Sequence, residues 1–253
     1  MPALSVVIIT FNEEKNIRRC MESVAGLGDE ILVVDSGSTD GTVEIARSLG
    51  ATLVHQPFLG YIEQKNFATG KASHDWVLAL DADEALSSEL KADIARVMQE
   101  PSVKGYTMNR LTCYCGVWVR HGGWYPDVKL RLYQRSAGTW AGTNPHDRYR
   151  FHEETVTMQL KGDILHYSYS SLSDHLKQID RFSTIGARAL YEKGETGSLL
   201  KLFYKPPARF IRNYILRRGF LDGLTGFIIG VNSAHAVFLK YLRLYYLHQG
   251  KTI

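Results

Sequence analysis

The chain has 253 residues, a formal net charge of +4 and a hydrophobic fraction of 45%. That length suits one large α/β domain or one domain with an extension, and the composition is that of a soluble protein with a real core. Three cysteines, Cys20, Cys113 and Cys115, exclude a disulfide framework and fit a reducing cytosol.

In chain order, LSVVII (4–9) is a short β-rich run, and Asn16 to Ser23 has helical character. EILVVD (30–35) is a second strand, Val43 to Leu49 a helix, and ATLVH (51–55) a third strand. Gly50 sits where a left-handed residue ends a helix. Tyr61 to Lys71 is a helix candidate and DWVLALD (75–81) a fourth strand. Ser87 to Met98 has apolar residues at helical spacing, with Ser87 or Ser88 as cap. Continuous apolar strands alternating with helices predict a parallel sheet covered on both faces.

From about Lys104 to Tyr169 the chain is rich in Tyr, Trp and Gly, with strand-like pieces GYTMNR, CGVWVR, KLRLY and DILHY. From Ser171 the pattern is helical and basic, with Pro206 and Pro207 expected to break it. Leu199 to the end carries nine Lys or Arg and one acid, Asp222. Such asymmetry predicts a polyanionic neighbour. Gly223 to Leu239 is uncharged but holds Asn232, Ser233 and His235, and reads as a buried or interfacial helix rather than a membrane span. The N-terminus runs into a strand without the basic region and cleavage site of a secretory signal.

In open parallel sheets ligands sit beyond the carboxyl ends of the strands. Three groups fall there: Thr10, Phe11, Asn12 and Glu13; Asp35 to Thr42 (DSGSTDGT); and Asp81 to Glu84 (DADE). The chain has neither a GxGxxG after the first strand nor a GxxxxGK[ST] loop, which argues against dinucleotide-binding and P-loop enzymes. Three carboxylates within four residues repel one another, so something positive belongs there. Asp81 and Asp83 suit a hard divalent cation held against a diphosphate. The alternative is a solvated acidic turn capping the next helix.

SVVIITFNEE (5–14), EILVVDSGSTDGT (30–42) and WVLALDADE (76–84) together resemble family 2 glycosyltransferases. HGGWYPDVKLRLY (121–133), the pair His146-Asp147 after Pro145, and RRGFLDGLTGF (217–227) are similar to a narrower group. These are bacterial β-glucosyltransferases of the lipopolysaccharide inner core. The resemblance implies a GT-A fold, a Rossmann-like mostly parallel sheet with helices on both faces, plus a C-terminal helical extension. It implies a domain at 1–170, split into a nucleotide-sugar half (1–100) and an acceptor half (101–170), and a basic helical extension at 171–253.

By the same resemblance Thr10 and Asn12 line the nucleoside pocket with Glu13 beside them, and Asp35 accepts a hydrogen bond from uracil. Lys65 meets the diphosphate. Asp81 lies near the ribose and metal, and Asp83 is the main ligand of Mg2+ or Mn2+. Asp147 is the general base, where the family more often has His-Glu. The donor is a UDP-sugar and the acceptor a lipid-linked saccharide. The implied location is cytoplasmic, peripheral on the inner face of the bacterial inner membrane. Transfer to a polyprenyl phosphate, or a non-catalytic scaffold that kept the fold, are the competing readings.

Other residues stay open. Asp127 is a base, an acceptor contact or a turn cap. Trp124 and Tyr125 stack on sugar or pack in the core. Arg131 pairs with an acid or with an acceptor phosphate. His121, His146 and His166 read as structural residues, and Cys113 and Cys115 as plain strand residues. Basic residues interleaved with aromatics in the tail suit an anionic membrane surface or nucleic acid. The resemblance puts the membrane first, without nucleic acid.

Overall fold

The computed structural model describes residues 2–143 and 146–253. Pro145 and the side chain of His146, part of the expected base motif, lie outside the described residues. The first half alternates as the apolar runs predict: β1 (Leu4–Thr10), α1 (Ile17–Val24), β2 (Glu30–Asp35), α2 (Thr42–Ser48), β3 (Thr52–His55), α3 (Tyr61–Lys71), β4 (Trp76–Asp81), β5 (Glu84–Leu86) and α4 (Ser88–Val97). Ser87 caps α4, its hydroxyl accepting from the Leu90 N–H at 3.2 Å, a contact worth about 1 kcal/mol. Then come β6 (Gly105–Tyr114), β7 (Val117–Val119), β8 (Asp127–Gln134), β9 (Gly138–Thr143), β10 (His146–Phe151) and β11 (Met158–Tyr169). The chain closes with α5 (Leu172–Glu192), α6 (Leu199–Phe210), a π-helical segment Ile211–Leu216, a 3-10 turn Gly219–Asp222 and α7 (Gly223–His248).

Two compact units form, one from residues 1–110 and 127–167, the other from 111–126 and 168–253. In the first, the strand order is β3-β2-β1-β4-β8-β6-β11-β5. The run β3-β2-β1-β4 is parallel, while β8 lies antiparallel to β4 and β6. Alternation along the strands makes two cores. Leu4, Val6, Ile8, Val33, Leu78 and Leu80 point to one face, where residues of α1, α2 and α4 cover them. Val7, Leu32, Val34, Val77 and Ala79 point to the other, covered by Ala68 of α3 and by Trp140 and Tyr149 of the β9–β10 hairpin. Each fully buried aliphatic side chain stabilises the fold by about 1.5–3 kcal/mol, so both faces contribute.

In the second unit, α5 starts on a capping box between Ser171 and Asp174, and α5 and α6 pack against α7. Residues 120–126 join them through polar contacts. The Asp222 carboxylate accepts from the His121 backbone N–H and meets the His121 ring, both at 2.8 Å, and the Gly122 N–H donates to the Arg217 carbonyl at 2.9 Å. A Cβ at Gly226 would stand 1.8 Å from the Gly219 carbonyl oxygen, so only glycine fits there. The HGGWYPD and RRGFLDGLTGF segments, distant in sequence, thus pack on each other.

Several open readings resolve. Trp124 takes the packing alternative, among the rings of Tyr114, Tyr169 and His175. All three cysteines are free; Cys113 lies in β6, but Cys115 sits in the turn after it with φ of 48°. The expected break at Pro206 and Pro207 does not occur, because both lie inside α6. Each proline removes one N–H bond to the carbonyl four residues earlier; Phe203, one of those two residues, is 75% exposed, and water can reach that turn. Among the described residues, no helix is long and apolar enough to cross a membrane.

Candidate active site

Strand register brings the three expected groups to one rim. Thr10 pairs with Asp35 across β1 and β2, and Ile9 pairs with Asp81 across β1 and β4. The loops beyond the strands are stapled together. Asn12, at φ of 54°, accepts the Thr39 N–H on its side-chain oxygen and donates its own N–H to the Ser38 hydroxyl, each at 2.8 Å. An amide side chain tolerates this left-handed backbone and supplies the bond that holds it. The Glu13 N–H donates to the Thr42 hydroxyl at 2.8 Å, and the Glu14 carboxylate accepts the Gly41 N–H at 3.0 Å.

Asp35 is buried and closes its own turn, accepting N–H bonds from Gly37 and Ser38 at 2.9 and 3.0 Å and the Ser38 hydroxyl. Beside it, two buried atoms have no hydrogen-bond partner among the described residues: the Thr10 hydroxyl and the Gln64 amide oxygen. Gln64 is oriented by its amide nitrogen, which donates to the Ser36 hydroxyl at 3.0 Å and the Gln56 carbonyl at 3.4 Å.

The crowding of carboxylates in DADE is matched by cations from other elements. Arg131, on the inward phase of β8, donates to Asp81 at 3.0 Å and to Glu84 at 2.8 Å. Arg110 of β6 reaches Glu84 at 3.4 Å and Asp127 at 2.8 Å. Lys65 of α3 places its ammonium 2.8 Å from Asp147 and 3.3 Å from Asp81, with the Trp140 ring 4.9 Å away. Burial opposes the charge of Asp81, yet Lys65 and Arg131 outweigh it and hold this carboxyl well below the usual range. Burial likewise works against Arg131, and Glu84 and Asp81 more than offset it, so the guanidinium stays charged.

Asp83 turns elsewhere, to the His166 ring at 3.1 Å. Glu13 lies near both. Burial pushes its carboxyl up to about 7, against the opposing bond from Asn16, and the charges of Asp83 and Asp40 add to the rise. Among the described residues no three His, Cys, Asp or Glu side chains group to hold a metal. Asp81 and Asp83 nevertheless both offer carboxylate oxygen, the donor atom a hard cation takes, and the one Asp81 oxygen without a hydrogen bond faces the Lys65 ammonium at 3.3 Å.

All eight sequence-derived site residues thus belong to the first unit: Thr10, Asn12, Glu13 and Asp35 at the loops, and Lys65, Asp81 and Asp147 in one ion cluster, with Asp83 beside His166. Four contributors, Arg131, Arg110, His166 and Gln64, were not singled out as site residues. Arg131 had a visible signal, a charge at an inward position of an alternating strand. Arg110 and His166 had none, because the pairing of His166 with Glu84 across β11 and β5 is not written in local sequence.

The profile described as Glycosyl transferase family 2 matches residues 5–156. An uncharacterized glycosyltransferase of Rickettsia typhi is 33% identical over 96% of this chain and 87% of its own length. The lipopolysaccharide core biosynthesis glycosyltransferase LpsC of Rhizobium meliloti is 29% identical over 97% of this chain and 93% of its own. Among solved structures, residues 1–349 of TarS from S. aureus superpose at a TM-score of 0.47, with 16% identity over 98% of this chain and 92% of that one.

Proposed function

This chain belongs to glycosyl transferase family 2, and we propose that it is an inverting, metal-dependent transferase moving a hexose, glucose by preference, from a UDP-sugar to a hydroxyl of a lipopolysaccharide core or similar glycolipid. The likeness to LpsC, named for lipopolysaccharide core biosynthesis, supports the acceptor class. One observation carries the chemistry: the buried Lys65 ammonium lies between Asp81, at the end of the donor-side strand, and Asp147.

In this reading Thr10, Asn12, Glu13 and Asp35 line the nucleoside pocket, where the unpartnered Thr10 hydroxyl and Gln64 amide oxygen wait for polar atoms of a ligand. Asp83 and Asp81 hold Mg2+ or Mn2+, which when bound neutralises charge on the diphosphate. Lys65 turns from its two carboxylates toward the diphosphate and stabilises the charge growing on the leaving group. Asp147, released from that partner, takes the proton of the acceptor hydroxyl. The acceptor oxygen bonds to the anomeric carbon as the bond to the diphosphate breaks, and the electron pair leaves with UDP. One displacement inverts the configuration, and no covalent intermediate on the protein is needed. Residues 101–170 serve the acceptor.

The helical extension at 171–253 supplies a surface for an anionic membrane. Leu200, Phe203, Leu216 and Leu224 are 71–75% exposed. In sequence they are interleaved with Lys201, Lys205, Arg209, Arg212, Arg217 and Arg218. Apolar side chains between cations suit anionic headgroups above acyl chains.

The donor assignment is tested by thermal stabilisation with UDP, GDP, ADP and CMP, each with and without Mn2+, beside Asp83→Ala. A ligand that binds only the folded state raises its stability by mass action. A Mn2+-dependent shift with UDP alone, absent in the variant, is the expected result. No shift with any nucleotide would overturn the assignment.

A further inference from the structure

The second unit contains a cavity of about 300 Å³ that shares no residue with the site above. His175 and Ser183 of α5, Asn232, Val237 and Lys240 of α7, and Arg209 of α6 are among its lining residues. Its polar wall is built and rigid: His175, Ser183 and Asn232 are each less than a tenth exposed. The Asn232 amide N–H lies 3.1 Å from His175 Nδ1 and the Tyr114 hydroxyl 2.9 Å from the same atom. An amide N–H can only donate, so Nδ1 accepts and the ring proton sits on Nε2. Burial pushes this imidazole down to about 4, which keeps the ring neutral at physiological pH.

The cations at this cavity are unlike their neighbours. Arg243, one turn beyond Lys240, has Asp180, and Lys201 has Glu195. Among the described residues no carboxylate lies within ion-pair distance of Lys240, Arg209 or Lys205. Lys240 and Lys205 lie instead near the neutral rings of Tyr241 and Tyr204, 5.2 and 5.3 Å away. Burial, with the like charges of Arg209 and Lys205 beside it, pushes the Lys240 ammonium below its usual range. The chain also makes room for this lysine: a Cβ at Gly186 of α5 would come within 3.0 Å of Lys240 Cδ. Converging cations without an ion-pair partner, one of them the partly buried Lys240, cost stability. An anion offsets that cost.

We propose that this cavity is a binding site for a phosphate group, held by Lys240 and Arg209 at its rim and faced by the neutral donors of its buried wall. A phosphate has several acceptor oxygens and more than one negative charge, which matches two cations beside the imidazole and amide N–H groups of the wall better than a carboxylate does. The group is carried either by a phospholipid headgroup or by a phosphorylated soluble molecule. The proposal is independent of the donor site.

Calorimetric titration with inorganic phosphate tests the site, and co-sedimentation with phosphatidylcholine vesicles, with and without phosphatidic acid, separates the sources. The proteins are the full chain, Lys240→Met, Arg209→Met and the control Arg188→Gln, an exposed arginine on α5 outside the cavity. Phosphate is expected to bind the full chain and the control alike and to bind either cavity variant roughly tenfold more weakly. If Lys240→Met also loses the phosphatidic-acid-dependent part of vesicle binding, the source is a headgroup; if only the phosphate titration changes, it is a soluble phosphate. Equal phosphate affinity in all four proteins, or binding in neither assay, would overturn the proposal. UDP stabilisation retained in Lys240→Met shows that the donor site and the fold are intact whichever way the phosphate result falls.

Discussion

Lys65 Nζ lies 2.8 Å from the Asp147 carboxylate, two side chains 82 positions apart in sequence. The same ammonium is 3.3 Å from Asp81, so one buried cation serves two carboxylates. Removing it and removing one of its partners should therefore differ. Lys65→Met leaves the partly exposed carboxylates of Asp81 and Asp147 facing each other, with Arg131 still on Asp81, and should cost about 1–3 kcal/mol in denaturant unfolding. Asp147→Asn leaves Lys65 paired with Asp81 and should unfold near the parent midpoint. Its kcat should nonetheless fall by about 10²–10⁴, the usual worth of a general base, with KM for the donor little changed. Near-normal activity in Asp147→Asn would move the acceptor from a hydroxyl toward a phosphate.

Arg131 should resist conservative replacement. One guanidinium nitrogen, Nη2, reaches both Asp81 and Glu84, at the tip of a side chain longer than lysine's, so a lysine ammonium ends short of that point. Arg131→Met should lose about 3–5 kcal/mol of stability, and Arg131→Lys should recover only part of it. Full recovery by lysine, measured by urea unfolding, would show that charge alone suffices there.

Glu13 gives the protein a pH signature. Its folded carboxyl is raised from 4.5 to about 7. A raised acid favours the folded state below the unfolded value, and that advantage disappears as pH climbs through the folded value. Stability should fall between about pH 4.5 and pH 7 relative to Glu13→Gln, by at most on the order of 3 kcal/mol. Parallel stability curves for the two proteins across that window would contradict it.

The four exposed apolar residues of the extension should matter for membranes and not for folding. Changing Leu200, Phe203, Leu216 and Leu224 to Ser together should leave the thermal midpoint nearly unchanged, because they are already 71–75% exposed. Partitioning onto vesicles rich in anionic lipid should drop more than about a hundredfold, since each inserted side chain contributes on the order of 1.5–3 kcal/mol. Unchanged partitioning would place membrane contact elsewhere.

The parallel half of the fold was legible because its signals are local. Apolar runs such as EILVVD and helical spacing from Leu90 to Met98 report directly on burial and period. The strand ends were legible for the same reason, which is why Thr10, Asp35 and Asp81 could be assigned to one rim. The ion cluster was legible in its carboxylates, in Lys65 through the family resemblance and in Arg131 through its place in an alternating strand, but not in its pairing. Its cations come from β6, β8 and α3, and nothing around Arg110 or Lys65 in sequence says which acid each will face. The continuation of α6 through Pro206 and Pro207 was illegible for another reason: proline is a weak helix former on average, and tertiary context overrides averages.

The interlock between residues 12–14 and residues 38–42 has a thermodynamic consequence. Side chains of Asn12 and Glu14 already occupy the N–H groups of Thr39 and Gly41, and the Asp35 turn is closed by its own carboxylate. The loops at the strand ends are therefore ordered before any ligand arrives, and little chain entropy is left to lose on binding. Nucleotide association there should show a heat-capacity change set by the surface of the nucleotide and its pocket, with no added contribution from folding of the loops.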